Sequence, residues 1–228
     1  MKFTFFGHAS FALEINGKNL VFDPFISANA ATHSIIDLER IKADFVLLTH
    51  GHQDHILDAL ALAKQNDATI ISTYEVGTWY QQNQNYEKVI PMNHGGQKRF
   101  DFGQVKLVNA VHSSCFPDGS YAGNPCGFVI NSSEGDIYIA GDTALTMDMK
   151  LIPLWAKLKT AILPIGDHFT MGYEDALIAS DFVACDKIIG VHFDTFPPIN
   201  VDKERAKETF AAKGKELILL EIGESIDL

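Results

Sequence analysis

Nothing in this sequence provides for a disulfide framework. Its three cysteines, Cys115, Cys126 and Cys185, are odd in number and show no CxxC spacing. A reducing, cytoplasmic setting is therefore expected. Cationic charge is also scarce. Eighteen Lys and Arg stand against 29 Asp and Glu, a formal charge of −11. Duplex binding draws its affinity from neutralised phosphates and leaves a basic stripe in the sequence. The densest basic stretch here, 203–207, is broken by Glu204, so no nucleic-acid partner is expected. No window approaches 18 apolar residues, so no membrane-spanning helix is expected. The opening MKFTFFGHASF lacks the apolar stretch and small-residue cleavage site of a secretory leader. With no amphipathic basic helix, stable membrane association is not expected either.

What is present is apolar material in short pieces. Apolar residues make up 46% of the 228, and Phe alone contributes 16. That suffices for a substantial core in a single domain spanning 1–228. Strands are expected at 3–6, 11–15 and 19–22, with Asn16-Gly17 as a two-residue hairpin turn. A buried strand at 44–49 leads into a His-rich loop and then a helix over 56–65, where Leu57, Leu60, Ala61 and Lys64 keep helical spacing. A strand at 69–73 and a helix at 76–84 follow. A second block predicts strands at 88–91, 98–102, 105–111, 127–131 and 136–140. Then come a helix at 147–157, a strand at 160–164, a helix at 174–184, a strand at 187–191, a helix at 203–213 and a strand at 216–222. Strands outnumber helices, which suits an αββα four-layer sandwich: two mixed β-sheets packed together with helices on the outer faces. The segment 113–125, rich in Gly, Pro, Ser and Asn, is a long loop of the kind that often carries function.

The chemistry concentrates in Thr49-His50-Gly51-His52-Gln53-Asp54-His55. In a tight strand-to-helix loop, His50 and His52 can point one way and Asp54 and His55 toward a neighbouring point. One ion can take the first pair and a second ion the other. Mixed imidazole and carboxylate ligation suits zinc first, with iron or manganese as alternatives. Completing ligands should sit at strand ends, where a rigid scaffold presents loop residues. His112, Asp142 and His192 each follow an expected strand. A water activated between two close cations is then the nucleophile, with Asp54 able to orient it.

THGHQDH resembles the THxHxDH signature of the metallo-β-lactamase superfamily. FGHASF, DPF, HSS, AGNPCGF, AGDT, LPIG, FTMG and VHFDTFP extend the likeness over nearly the whole chain. They resemble a compact branch of metal-dependent hydrolases related to ascorbate-phosphate lactonase-like proteins. The resemblance implies that His50, His52 and His112 hold one metal. It implies that Asp54, His55 and His192 hold the other, with Asp142 bridging. It also implies hydrolysis of an ester, lactone or phosphodiester in a small molecule; the alternative is a non-enzymatic metal-binding or sensing protein on the same fold. Flavodiiron relatives replace the second loop histidine with Glu, so His52 argues against them. The GH pair recurs in the related branch. His8 is therefore expected to face the site as a substrate contact or proton donor, against the alternative of a hydrogen-bonded turn histidine. His168 is expected as a pocket residue with a catalytic role, although relatives often carry Asn there. Asp23 is expected to orient a ligand histidine, and Asn124 either contacts substrate or serves a turn. His33 and His94 read as loop groups. Cys115, Cys126, Trp79, Trp155 and most Phe read as buried packing residues. A homo-oligomer fits a cytosolic protein of this size.

Overall fold

The computed structural model describes residues 1–228. β1 (Lys2–Gly7), β2 (Ser10–Ile15) and β3 (Lys18–Phe22) form an antiparallel meander. Asn16 and Gly17 take φ values of 50° and 71°, the left-handed pair whose twist matches that of a two-residue hairpin. From β3 the sheet continues in parallel through β4 (Phe45–Leu47), β5 (Thr69–Thr73) and β6 (Val89–Met92). Parallel steps need crossovers. Here they are the 23–44 segment with a 3₁₀ turn at Leu38–Arg40, then α1 (Gln53–Ile56) with α2 (Ala59–Asn66), then α3 (Tyr74–Gln84).

The second sheet repeats the plan. β7 (Gln97–Phe100), β8 (Gly103–Asn109), β9 (Cys126–Asn131) and β10 (Asp136–Ile139) run antiparallel. β11 (Leu158–Pro164), β12 (Lys187–Val191) and β13 (Glu216–Ile218) add in parallel. A 3₁₀ segment at Met147–Leu154, α4 (Tyr173–Phe182) and α5 (Lys203–Ala211) supply the crossovers. β14 (Ser225–Asp227) returns to the first sheet and pairs with β1, giving seven strands in each sheet.

Period-two alternation decides which layer each side chain enters. On β4, Leu47 joins the core between the sheets, while Val46 and the following Leu48 pack under α2 and α3 with Ile56, Leu62, Val76 and Tyr80. Between the sheets, Phe3, Phe11 and Phe22 stack with ring centroids 4.9 and 4.7 Å apart, and Phe22 meets Phe128 of the opposing sheet edge-on. α4 and α5 seat Ala176, Ala179, Ala206 and Phe210 against the outer face of the second sheet. These layers are the αββα sandwich expected from the sequence.

Several elements differ from expectation beyond a shifted end. The helix expected at 56–65 is two helices, broken at Leu57 and Asp58. Asp58 is buried and accepts hydrogen bonds from the backbone N–H of Ile26 (2.6 Å) and Ser27 (2.9 Å), while its own N–H donates to Pro24. That docking of the 24–27 loop outweighs helical continuity. The helix expected at 147–157 is a 3₁₀ run, with Pro153 inside it lacking a donor. β8 stops at Asn109, so His112 lies beyond the strand in coil. The last expected strand ends at Ile218; Gly223 then turns at φ 87°, and β14 was not anticipated.

Candidate metal centre

The chemistry-bearing residues gather at one edge of the sandwich, where β1, β3, β4, β8, β10 and β12 end. His8 follows β1, Asp23 follows β3, and the His50–His55 loop follows β4. Asp142 follows β10 and His192 follows β12. This is the edge where open parallel sheets place ligands. Several residues hold a left-handed backbone without being glycine: His8 (φ 56°), Asp23 (41°), His192 (57°) and Asp194 (57°). Such conformations persist where the surroundings over-determine them, commonly at functional sites.

The structure brings His50, His52, Asp54, His55, His112, Asp142 and His192 together. Ligand-type atoms of His50, His52 and His112 lie within 4.8 Å of one another, as do those of His50, His55 and Asp142. A third set joins Asp54, His55 and His192 with His8. Asp142 is central: its Oδ2 is 3.0 Å from His192 Nε2, 3.4 Å from His55 Nε2 and 3.5 Å from His112 Nε2.

Asp23 organises the buried side of this cluster. Its Oδ1 accepts the Thr49 backbone N–H at 2.8 Å, and its Oδ2 accepts the Thr49 hydroxyl at 2.7 Å. With that hydroxyl proton committed, Thr49 Oγ1 can only accept from His50 Nδ1, 2.9 Å away. Asp23 Oδ2 also accepts from His55 Nδ1 at 2.9 Å. One carboxylate therefore orients both rings, directly at His55 and through Thr49 at His50, and turns their Nε2 atoms inward. Thr49 is a residue that motif reading passed over; its place directly before His50 was the available signal. Gly166 is needed for a different reason. A Cβ there would collide with the His192 carbonyl oxygen and come within 3.0 Å of Ile199. Gly166→Ala is accordingly expected to push the β12 loop outward and weaken metal binding about tenfold. Chelator competition would measure this; an unchanged dissociation constant would contradict it.

Charge states follow from burial and neighbours. Burial, and then the nearby His55, hold His50 well below the ordinary imidazole value. Burial lowers His52 and His112 as well. His55 goes the other way: burial alone would lower it, but Asp142 and Asp23 outweigh that and raise it well above the usual value. Burial opposes ionisation of Asp142, yet His192 and His55 pull it well below the carboxylate range. Asp54 is lowered for the same kind of reason, chiefly by the hydrogen bond from His8.

These residues fit a pair of divalent ions. His55 Nε2 and Asp142 Oδ1 are buried with no hydrogen-bond partner, a costly state for polar atoms unless something else engages them. Neutral imidazoles and ionised carboxylates are the forms that ligate, which His50, His52, His112, Asp54 and Asp142 favour, whereas His55 would release a proton on binding a cation; no thiolate enters the cluster.

The remaining expected residues lie elsewhere. His8 is buried at 1% exposure and does not line the open cleft. Its Nε2 reaches Asp54 Oδ2 at 3.1 Å and its Nδ1 meets Thr195 Oγ1 at 2.9 Å. Burial and the adjacent His192 push its pKa down to about 4. His168 is exposed and packs edge-on against Phe169, and it is Phe169 that faces the cleft. Asn124 is exposed and accepts a hydrogen bond from the Tyr121 hydroxyl at 3.2 Å, away from the cluster. His94 bonds the Pro125 carbonyl. Cys126 and Cys185 are buried, but Cys115 is exposed. Trp155 is part-exposed at the surface rather than in the core.

Two facing mixed sheets with a His/Asp cluster at their shared edge define a metallo-β-lactamase type of protein. Residues 18–193 match the family described as Beta-lactamase superfamily domain. The chain is 58% identical over 228 residues to a UPF0173 metal-dependent hydrolase of Christiangramia forsetii, covering 100% of both. It belongs to this family of metal-dependent hydrolases within the metallo-β-lactamase superfamily. Among solved structures, Igni18, a metallo hydrolase from the archaeon Ignicoccus hospitalis, superposes with a TM-score of 0.87 at 34% identity, over 99% of this chain and 97% of that one. An isothiocyanate hydrolase from Delia radicum gut bacteria shares the fold, with a TM-score of 0.79 at 21% identity, over 100% and 99% of the chains.

Proposed function

We propose that this chain hydrolyses an ester, lactone or phosphodiester bond in a small molecule, using two divalent metal ions, with zinc the first choice and manganese or iron the alternatives. The observation that carries the reading is the ring of imidazoles about Asp142, with buried nitrogen and oxygen atoms that nothing in the protein satisfies. His50, His52 and His112 would hold one ion, and Asp54, His55 and His192 the other, with Asp142 between them. When bound, such ions supply Lewis acidity that brings the pKa of water to about 7 and polarises a substrate oxygen.

The protein's own groups supply the rest. Asp54 is anionic and part-exposed, so it can accept a hydrogen bond from an incoming water and orient it while His8 fixes its Oδ2. His8 is too enclosed to touch substrate and acts as a positioning residue through Asp54. His8→Ala is therefore expected to retain both metals and to lower kcat by about 10–100-fold. Loss of an ion in that variant, measured by elemental analysis, would instead make His8 a ligand, as its distance to Asp54, His55 and His192 allows.

The test of the proposal is turnover of 4-nitrophenyl acetate and bis(4-nitrophenyl) phosphate by metal-loaded protein. Release of nitrophenol with either is expected, abolished by chelation. No turnover of either, despite bound metal, would leave a metal-binding or sensing protein.

A further inference from the structure

Above the ligand cluster lies an open cleft of about 470 Å³. Besides the metal-type ligands and Ser113, its walls are Phe169, Phe196 and Pro198. Neither Lys nor Arg lines it. Phe169 is 52% and Phe196 37% exposed, whereas most phenylalanines of this chain are buried. Large apolar groups held in water cost free energy unless something covers them.

Both rings are held in place by their loops. Phe169 sits on a tight turn after β11, where Asp167 and His168 both adopt left-handed backbone, with φ 59° and 53°. That turn is tied down by the Met171 N–H donating to the Thr143 carbonyl at 2.9 Å. A strained turn that exposes a ring gains nothing from the ring's own burial, so the strain is offset by other contacts. Phe196 precedes the Pro197–Ile199 3₁₀ turn, and its ring packs edge-on against His8, 5.6 Å between centroids, leaving the rest open to the cleft. Preorganised aromatic walls bind flat or branched apolar groups at little entropic cost.

We propose that Phe169, Phe196 and Pro198 form a recognition subsite for a neutral aromatic or branched-alkyl group on the substrate, beside the reacting bond. The metals would hold only the reacting group. A second anionic group on the substrate would find no cation in the cleft walls and would meet the field of a chain with formal charge −11. The subsite thus favours esters or lactones of uncharged apolar alcohols or acids over sugar phosphates. The identity of the reacting group rests on the hydrolase reading above; the binding of the apolar group does not.

Benzamide and glycerol 3-phosphate serve as neutral aromatic and anionic probes, measured by saturation-transfer NMR on the full chain with and without zinc. Benzamide is expected to bind both forms, and the Phe169→Ser/Phe196→Ser double variant to weaken it by about tenfold. Circular dichroism and zinc content of that variant would show that fold and centre persist. Phe196→Leu should recover most of the binding. In turnover, the ratio of kcat/KM for benzyl acetate over methyl acetate should fall about tenfold in the double variant. Benzamide binding that ignores the double substitution, or glycerol 3-phosphate binding more tightly than benzamide to the zinc-free chain, would overturn the proposal. Benzamide binding that follows the substitutions while no ester turns over would sustain the subsite and count against the hydrolase reading.

Discussion

Asp142→Ala and His50→Ala are expected to abolish metal retention and to lower hydrolysis on the order of 10³-fold, while the chain stays folded. The magnitude follows from losing several kcal/mol of transition-state stabilisation, at 1.36 kcal/mol per tenfold. Asp142 is singled out because three imidazoles converge on one of its oxygens. His50 is singled out because the Thr49 contact commits its Nδ1 and leaves its Nε2 as an acceptor facing the cluster, 2.9 Å from His52 Nδ1. Retention of the fold follows from where the apolar mass sits. The 41-residue core cluster between and behind the sheets includes none of the seven candidate ligands. Near-native circular dichroism is the accompanying expectation for both, with an unfolding midpoint close to that of chelated parent protein for His50→Ala and a lower one for Asp142→Ala, which leaves His55 and His192 without their shared carboxylate. A variant that unfolds outright would show that the cluster is structural rather than functional.

Asp23→Ala should be the most damaging single change at the site that removes no ligand. It strips the acceptor from the Thr49 N–H, the Thr49 hydroxyl and His55 Nδ1 at once. His55, raised by Asp142 and Asp23, would lose one of the two carboxylates that favour its charged form. Breaking a buried charged pair from one side costs about 3–5 kcal/mol, and loosening ligand orientation weakens metal binding about 10–100-fold. Denaturant titration of the chelated protein separates the first effect from the second. A midpoint equal to that of the parent would contradict the role given to Asp23. The conservative Asp23→Asn keeps volume and one acceptor, so an intermediate loss is expected.

Much of this was legible in the sequence because the residues concerned terminate apolar runs. His50, Asp142 and His192 sit where the strand pattern stops, so element ends and chemistry coincide. His112 lies beside His50 and His52 although its strand ends earlier, since coil carries the chain the last few residues. Asp23 is singled out by the same logic, and its carboxylate bonds His55 Nδ1. What escaped was set by tertiary contact. The break at Asp58 depends on a loop arriving from residues 24–27, and no local propensity encodes that. His8 carried the right position but not the right exposure: only the approach of Thr195 and Phe196 encloses it. His168 and Phe169 alternate around one tight turn, and spacing cannot say which of the two looks into the cleft. The exposure of Phe169 and Phe196 ran against the rule that phenylalanines fill cores, and such exceptions tend to mark function.

The most direct test is elemental analysis of protein purified without chelator, repleted with zinc and dialysed, read beside a structure of that material. Close to two ions per chain are predicted, flanking Asp142, with the Nε2 atoms of His50 and His55 among the donors. Protein that keeps no divalent ion, or ions seated away from Asp142, would contradict the account at its base.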